Sequence, residues 1–160
     1  MTSGRFDPSR IAALIPAYRE EAHIGGVVRL TRGQVPTVLV IDDGSTDATA
    51  ARAREAGAEV IVHPRNAGKG AALKTGLRVL LERGFEYVVM LDADGQHLPP
   101  EIARFLEAAR NAPEPCGIWV GNRMNATGGM PLCRLWTNRF MSWMIGRLCR
   151  QPIPDSQCGF

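Results

Sequence analysis

The sequence predicts an α/β sandwich with a mainly parallel central sheet. Two observations carry that expectation. Short apolar strands alternate with helical segments from residue 11 to residue 120, at a spacing that leaves room for a crossover helix between successive strands. The three most polar segments, residues 17–21, 42–47 and 92–97, each follow an apolar strand, and parallel sheets bind ligands beyond the carboxyl ends of their strands.

Residues 11–16 form the first apolar strand, and residues 20–31 show helical spacing at Ile24, Val27, Val28 and Leu30 despite two glycines. Residues 37–41 form a second buried strand. Thr46 or Asp47 then caps an Ala-rich helix running to about Ala56. A third strand spans 59–62, a loop and then a helix occupy 68–83, and a fourth strand covers 87–91. A helix opened by proline follows over 100–110, with a fifth strand at 118–120 and a last helix over 132–149. On a helical wheel Arg139, Arg147 and Arg150 of that last helix share an arc of roughly 80° with Trp136 and Trp143. Two readings of this arc stand: a face for a lipid headgroup boundary, or the solvated edge of a core-packing helix.

With 160 residues, 45% apolar and 22% charged, the chain has the composition of one ordinary globular domain. A net charge of +3 is too small to argue for nucleic acid, and no nucleic-acid partner is expected. The charge is uneven. After residue 115, Arg123, Arg134, Arg139, Arg147 and Arg150 face a single Asp155, which favours an anionic partner. The four cysteines show no C-x-x-C pair and follow no secretory signal, so a cytoplasmic compartment is expected, with peripheral attachment to a membrane left open. No apolar stretch approaches the ~20 residues that cross a bilayer.

The strongest chemical signal is Asp92-Ala93-Asp94-Gly95-Gln96-His97 at the end of the fourth strand. Side chains alternate along a strand, so Asp92 and Asp94 are expected on one side, placed to hold a divalent cation. The bland alternative is a turn capped by Asp and Gly. Several enzyme classes fall away. The first strand leads into Pro16-Ala17-Tyr18-Arg19-Glu20 without G-x-G-x-x-G, which disfavours a dinucleotide-binding enzyme. Gly68-Lys69-Gly70 lacks the Ser or Thr and the earlier glycine of a phosphate loop, so Lys69 either approaches a phosphate through a flexible loop or only caps an exposed helix. Dehalogenase-type phosphatases also carry D-x-D, but Gly95-Gln96 follows here where Thr or Val would.

Taken in order, Ile15-Pro16-Ala17-Tyr18-Arg19-Glu20-Glu21, Val40-Ile41-Asp42-Asp43-Gly44-Ser45-Thr46-Asp47, Asn66-Ala67-Gly68-Lys69-Gly70, Asp92 to His97, Gly121-Asn122-Arg123 and Asp155-Ser156-Gln157-Cys158-Gly159-Phe160 resemble family 2 glycosyltransferases. Within that family they resemble the dolichol-phosphate mannosyltransferase and polyprenyl-phosphate glycosyltransferase branch. The resemblance implies a GT-A fold, the Rossmann-like sandwich of nucleotide-diphospho-sugar transferases. It implies a metal-dependent transfer, with inversion, from a GDP- or UDP-linked sugar to an acceptor, in this branch polyprenyl phosphate at a membrane surface.

By matching position, Pro16, Tyr18, Glu20 and Asp43 hold the nucleoside, with Ile41 lining its base or ribose. Asp92 lies near the diphosphate, and Asp94 and Gln96 hold Mg²⁺ or Mn²⁺. Arg123 and Arg134 face donor or acceptor phosphate, and Asp155 matches the acidic residue before the closing Gly-Phe; Lys69 joins the nucleotide-sugar contacts. Arg19 stands where the family has asparagine. The chain stops inside the last motif, so the expectation is a single GT-A domain over 1–160 truncated at its C-terminus. A non-catalytic nucleotide-sugar binding fragment and a metal-dependent nucleotidyltransferase remain as alternatives.

Overall fold

The computed structural model describes residues 7–95, 101–111 and 132–150, with the side chains of 132–135, 138 and 149 outside that description. The chain divides into two compact units, residues 1–116 and 117–160.

The first unit is built on four parallel strands, β1 (Ile11–Ala17), β2 (Thr37–Asp42), β3 (Glu59–Val62) and β4 (Tyr87–Met90), in the order β3-β2-β1-β4. Its helices are α1 (Ile24–Arg32), α2 (Thr49–Glu55), α3 (Lys69–Glu82) and α4 (Ile102–Asn111). β1 is buried along its whole length, as an unbroken apolar run demands of a parallel strand covered on both faces. Ala12, Leu14, Leu39 and Ile41 from one face of β1 and β2 pack with Ala72 and Leu80 of α3. The helix sits close on the sheet at Gly76, where a Cβ would lie 2.2 Å from Leu14 Cδ1, so no larger residue fits without moving the core.

The strand order determines where a ligand can enter. From β1 the chain winds through β2 to β3, then returns to add β4 on the other side of β1. Successive crossovers therefore part at β1, and a crevice opens at the carboxyl ends of β1 and β4. Ala17 pairs with Asp42 at the end of the ladder, so Tyr18 and Asp43 leave the sheet side by side.

The predicted strands and helices are present wherever the structure describes them, with shifted ends. The first helix begins at Ile24 rather than residue 20, because residues 21–23 form a turn closed by Ile24 N–H donating to Glu20 O at 2.9 Å. The loop before α3 occupies residues 63–68, and the helix starts directly after Gly68. Ala48 is the N-cap of α2, and Asp47 just before it accepts the Thr49 N–H at 3.1 Å. The fifth strand expected at 118–120 lies outside the described residues.

In the second unit α5 (Leu132–Cys149) covers the predicted span. Its arginine and tryptophan arc is the open face: Trp136, Phe140 and Trp143 are 74%, 60% and 63% exposed, and Arg139, Arg147 and Arg150 are exposed with them. Ser142, beside that arc, is buried. Among the described residues no helix is long and apolar enough to cross a membrane.

Candidate active site

A cleft of about 340 Å³ opens at the carboxyl ends of β1, β2 and β4, within the range of small-molecule sites. Pro16, Tyr18 and Glu20 line it after β1, Asp43 after β2, Asn66 and Lys69 before and at the start of α3, and Asp92 and Asp94 after β4. The sequence therefore brought the right segments to one place, and the doubly wound order explains why. Four of its expectations need separate treatment.

Ile41 is fully buried and packs in the core with Leu39, two residues before it on the same strand face. It does not line the cleft, where its expected place beside the base or ribose would be, and packs under α3 instead. Asp92 and Asp94 both face the cleft, but not by alternation. β4 ends at Met90, residues 93–94 form a turn, and Ala93 lines the cleft between the two carboxylates. Gln96, Arg123 and Asp155 lie outside the described residues. Arg134 falls in α5, with its side chain outside the description.

The loops after β1 and β2 are tied to each other. Arg19 N–H donates to Ser45 Oγ at 2.9 Å, Glu20 N–H to Thr49 Oγ1 at 2.8 Å, and Ala48 N–H to a Glu21 carboxylate oxygen at 2.9 Å. Ser45 N–H in turn reaches Asp42 Oδ1 at 3.0 Å. Tyr18, 39% exposed, presents its ring at the cleft with the Arg19 guanidinium carbon 5.1 Å from its centroid.

Arg19 adopts φ +57, the left-handed region that costs an ordinary side chain about 1–2 kcal/mol and that asparagine enters more readily. This gives a physical reason for the asparagine that the family resemblance leads one to expect there. Arg19→Asn is expected to raise stability by about 0.5 kcal/mol, the gain being reduced by the lost cation–π contact of about 0.5–1 kcal/mol, as read by denaturant midpoint.

Asp43 is 3% exposed, and its oxygens are engaged within the protein. Oδ1 accepts from His63 Nδ1 at 2.7 Å, and the Ala67 and Gly68 N–H groups donate to the carboxylate at 3.0 and 2.6 Å. Burial alone would push this carboxyl up, but the His63 and backbone hydrogen bonds outweigh it and hold the group below its ordinary value of 3.8. Linkage sets the sign. A carboxyl with a depressed folded value contributes stability that is fully present above its unfolded value and is lost as pH falls through the folded one. The stability of the parent is therefore expected to fall more steeply below about pH 4 than that of Asp43→Asn, in acid titrations followed by circular dichroism.

At the far side of the cleft Lys69 Nζ forms an ion pair with the Asp92 carboxylate. The residues present fit a divalent cation of the Mg²⁺ or Mn²⁺ type. Asp92 and Asp94 are hard oxygen donors, and among the described residues no trio of His, Cys, Asp or Glu forms a closed cage. Such ions take one or two carboxylates and complete their shell with substrate phosphates and water.

The profile described as Glycosyl transferase family 2 matches residues 12–155. The chain belongs to that family. Among curated relatives of this family 2 chain, an undecaprenyl-phosphate mannosyltransferase of Micrococcus luteus is 34% identical over 84% of the chain and 56% of its own length. A UDP-N-acetylglucosamine–dolichyl-phosphate N-acetylglucosaminyltransferase of Methanococcus voltae is 32% identical over 93% of the chain and 67% of its own length. An uncharacterized protein of Methanocaldococcus jannaschii, 31% identical over 93% of the chain, is matched over 62% of its length. The chain thus spans about three fifths of the curated relatives it matches. A solved glucosyl-3-phosphoglycerate synthase of Mycobacterium tuberculosis, in complex with Mn²⁺, UDP-glucose and phosphoglyceric acid, superposes with a TM-score of 0.55 at 30% identity, covering 64% of this chain and 40% of that one. These likenesses agree with the GT-A fold and the transferase class that the motifs implied.

Sequence reasoning missed His63 and did not place Asn66 in the site. Both follow the end of β3, and the rule that drew attention to the ends of β1, β2 and β4 applies to β3 as well.

Proposed function

We propose that this family 2 chain forms the donor-binding part of an inverting glycosyltransferase that moves a sugar from a nucleotide-sugar to polyprenyl phosphate. The observation that carries the reading is the cleft itself: it is lined by Pro16, the Tyr18 ring and Glu20 after β1 and by Asp92, Asp94 and Lys69 after β4 and at the start of α3. A nucleoside at the first set directs its diphosphate toward the second. Asp92 and Asp94 would hold Mg²⁺ or Mn²⁺, which supplies positive charge where negative charge develops on the departing nucleotide.

Lys69 carries the first residue of α3, so its ammonium and the helix amino end both favour a phosphate in the cleft. A lipid phosphate acceptor is already ionised at neutral pH and attacks without a strong general base. By the family resemblance Arg123 and Arg134 match basic positions that face donor or acceptor phosphate, and Asp155 matches the acidic residue before the closing Gly-Phe. The exposed Trp136, Phe140 and Trp143 among Arg139, Arg147 and Arg150 suit the boundary of an anionic bilayer, which supports peripheral membrane attachment. Relatives named for undecaprenyl and dolichyl phosphate support the acceptor class, and the Mn²⁺ complex of the solved neighbour supports the metal.

The test is a product assay on this chain and on a form extended to the length of its relatives. UDP- and GDP-sugars are offered with Mn²⁺ and polyprenyl phosphate in detergent, and glycolipid is measured by mass. Glycolipid and free nucleoside diphosphate support the proposal. Nucleotide binding without transfer by either form would leave a binding module, and release of diphosphate from a nucleoside triphosphate would identify a nucleotidyltransferase.

A further inference from the structure

His63 sits behind the cleft rather than in its wall. It is the first residue after β3, and its side chain is 14% exposed. Its two ring nitrogens are both used. Nδ1 lies 2.7 Å from Asp43 Oδ1, and Nε2 lies 3.0 Å from Thr75 Oγ1 on α3. An ionised carboxylate only accepts, so Nδ1–H donates to Asp43, and in the neutral ring Nε2 accepts the Thr75 hydroxyl. The sequence Thr, His, Asp has the connectivity of a hydrolase triad. It is not placed as one, since neither Thr75 nor His63 lines the cleft.

What the chain of bonds does reach is the loop that opens α3. The Asp43 carboxylate, held on one oxygen by His63, receives the N–H groups of Ala67 and Gly68. Those residues lie between Asn66 and Lys69, the two side chains that this segment contributes to the cleft. Gly68, at φ +92, has a conformation that leaves the loop little intrinsic preference for this path. The carboxylate therefore sets the loop, and the imidazole sets the carboxylate.

We infer that His63 is a positioning residue of the nucleotide site: through its Nδ1–H it orients Asp43 so that the carboxylate clamps the Ala67 and Gly68 amides and holds Asn66 and Lys69 at the cleft. The inference rests on the nucleotide-sugar reading for its functional consequence but not for its structural one. It differs from a packing role in depending on one nitrogen. An asparagine amide can occupy the place of Nδ1, whereas a glutamine amide reaches only toward the place of Nε2.

The experiment compares His63→Asn and His63→Gln in this chain by two readouts. Hydrogen exchange at the Ala67 and Gly68 amides, without nucleotide, reads the clamp. Calorimetric titration with UDP and with GDP, each with Mn²⁺, reads the consequence. His63→Gln is expected to speed exchange at both amides at least tenfold and to weaken nucleotide binding roughly tenfold, while His63→Asn stays within about threefold of the parent in both. Unchanged exchange and affinity in a folded His63→Gln, or equal losses in both variants, would overturn the inference. If the parent binds neither nucleotide, the nucleotide reading fails, and the exchange comparison still decides the clamp in either direction. Should His63→Gln not fold, His63→Phe keeps the bulk of the ring and removes the N–H that Asp43 accepts, and faster exchange at Ala67 and Gly68 supports the inference as unchanged exchange overturns it.

Discussion

Asp94→Asn is expected to abolish the Mn²⁺-dependent part of nucleotide binding while leaving the fold unchanged. The substitution keeps the size and shape of the side chain and removes one negative charge from a pair of residues, Asp92 and Asp94, that face the cleft from a turn just beyond β4. A cation bound by one or two carboxylates and substrate phosphates has little redundancy in its protein ligands. Loss of a contact that merely supports a ligand costs about 10- to 100-fold in metal affinity, so loss of a ligand itself should cost on the order of 100-fold or more. Because Asp94 lies on a partly exposed turn, the unfolding free energy should change by no more than about 0.5 kcal/mol. Titration calorimetry with and without Mn²⁺ measures the first effect and denaturant unfolding the second. Metal-dependent binding that survives in Asp94→Asn would remove this residue from the site. Asp92→Asn is a less clean experiment, since it also releases Lys69 from its ion pair.

The second large effect is expected at Gly44, in the turn that carries Asp43 away from β2. Gly44 has φ +75, and a Cβ built there would lie 2.6 to 2.8 Å from backbone atoms of Arg65 and Asn66. Two penalties combine in Gly44→Ala. The left-handed conformation costs about 1–2 kcal/mol for a residue with a Cβ, and a backbone obstacle cannot rotate aside as a side chain can, adding about 1–3 kcal/mol. A destabilisation of about 3 kcal/mol should lower the melting temperature by roughly 10 °C for a chain of this length. The obstacle is the segment leading to Asn66 and Lys69, so the backbone shift that relieves the clash also displaces two cleft residues. Nucleotide binding should therefore weaken even at temperatures where Gly44→Ala remains folded. Thermal unfolding and calorimetry on one preparation separate the two consequences, and a variant with unaltered melting would show that the two turns do not touch.

Gly44 also shows why part of the site could be read from the sequence and part could not. Asp-Asp-Gly-Ser after an apolar strand announces a tight turn at a ligand-bearing end of a sheet, because glycine admits φ values that other residues resist. Nothing in that tetrapeptide says that its glycine will meet the backbone of residues 65 and 66. That contact requires β2 and β3 to lie side by side with Asp42 opposite Val62.

The sequence by itself determined the elements and their ends of function. Apolar runs placed β1 to β4, helical periodicity placed α1 and α5, the polar end of the fourth strand named Asp92 and Asp94, and the family resemblance added Tyr18, Glu20, Asp43 and Lys69, all of which line one cleft. These are properties of neighbours along the chain, and strand and helix periods are set by local backbone geometry. The tertiary structure decided what depends on distant partners. Register and crossover packing turned Ile41 into the core under α3, and the early end of β4 put Asp92 just before a turn and Asp94 on it instead of both on a strand face. They also joined Asp43, His63, Ala67, Gly68 and Thr75 in one hydrogen-bonded unit whose members are up to 32 residues apart. Each of those bonds is made by a group whose partner arrives from another crossover, and no local pattern encodes which partner that will be.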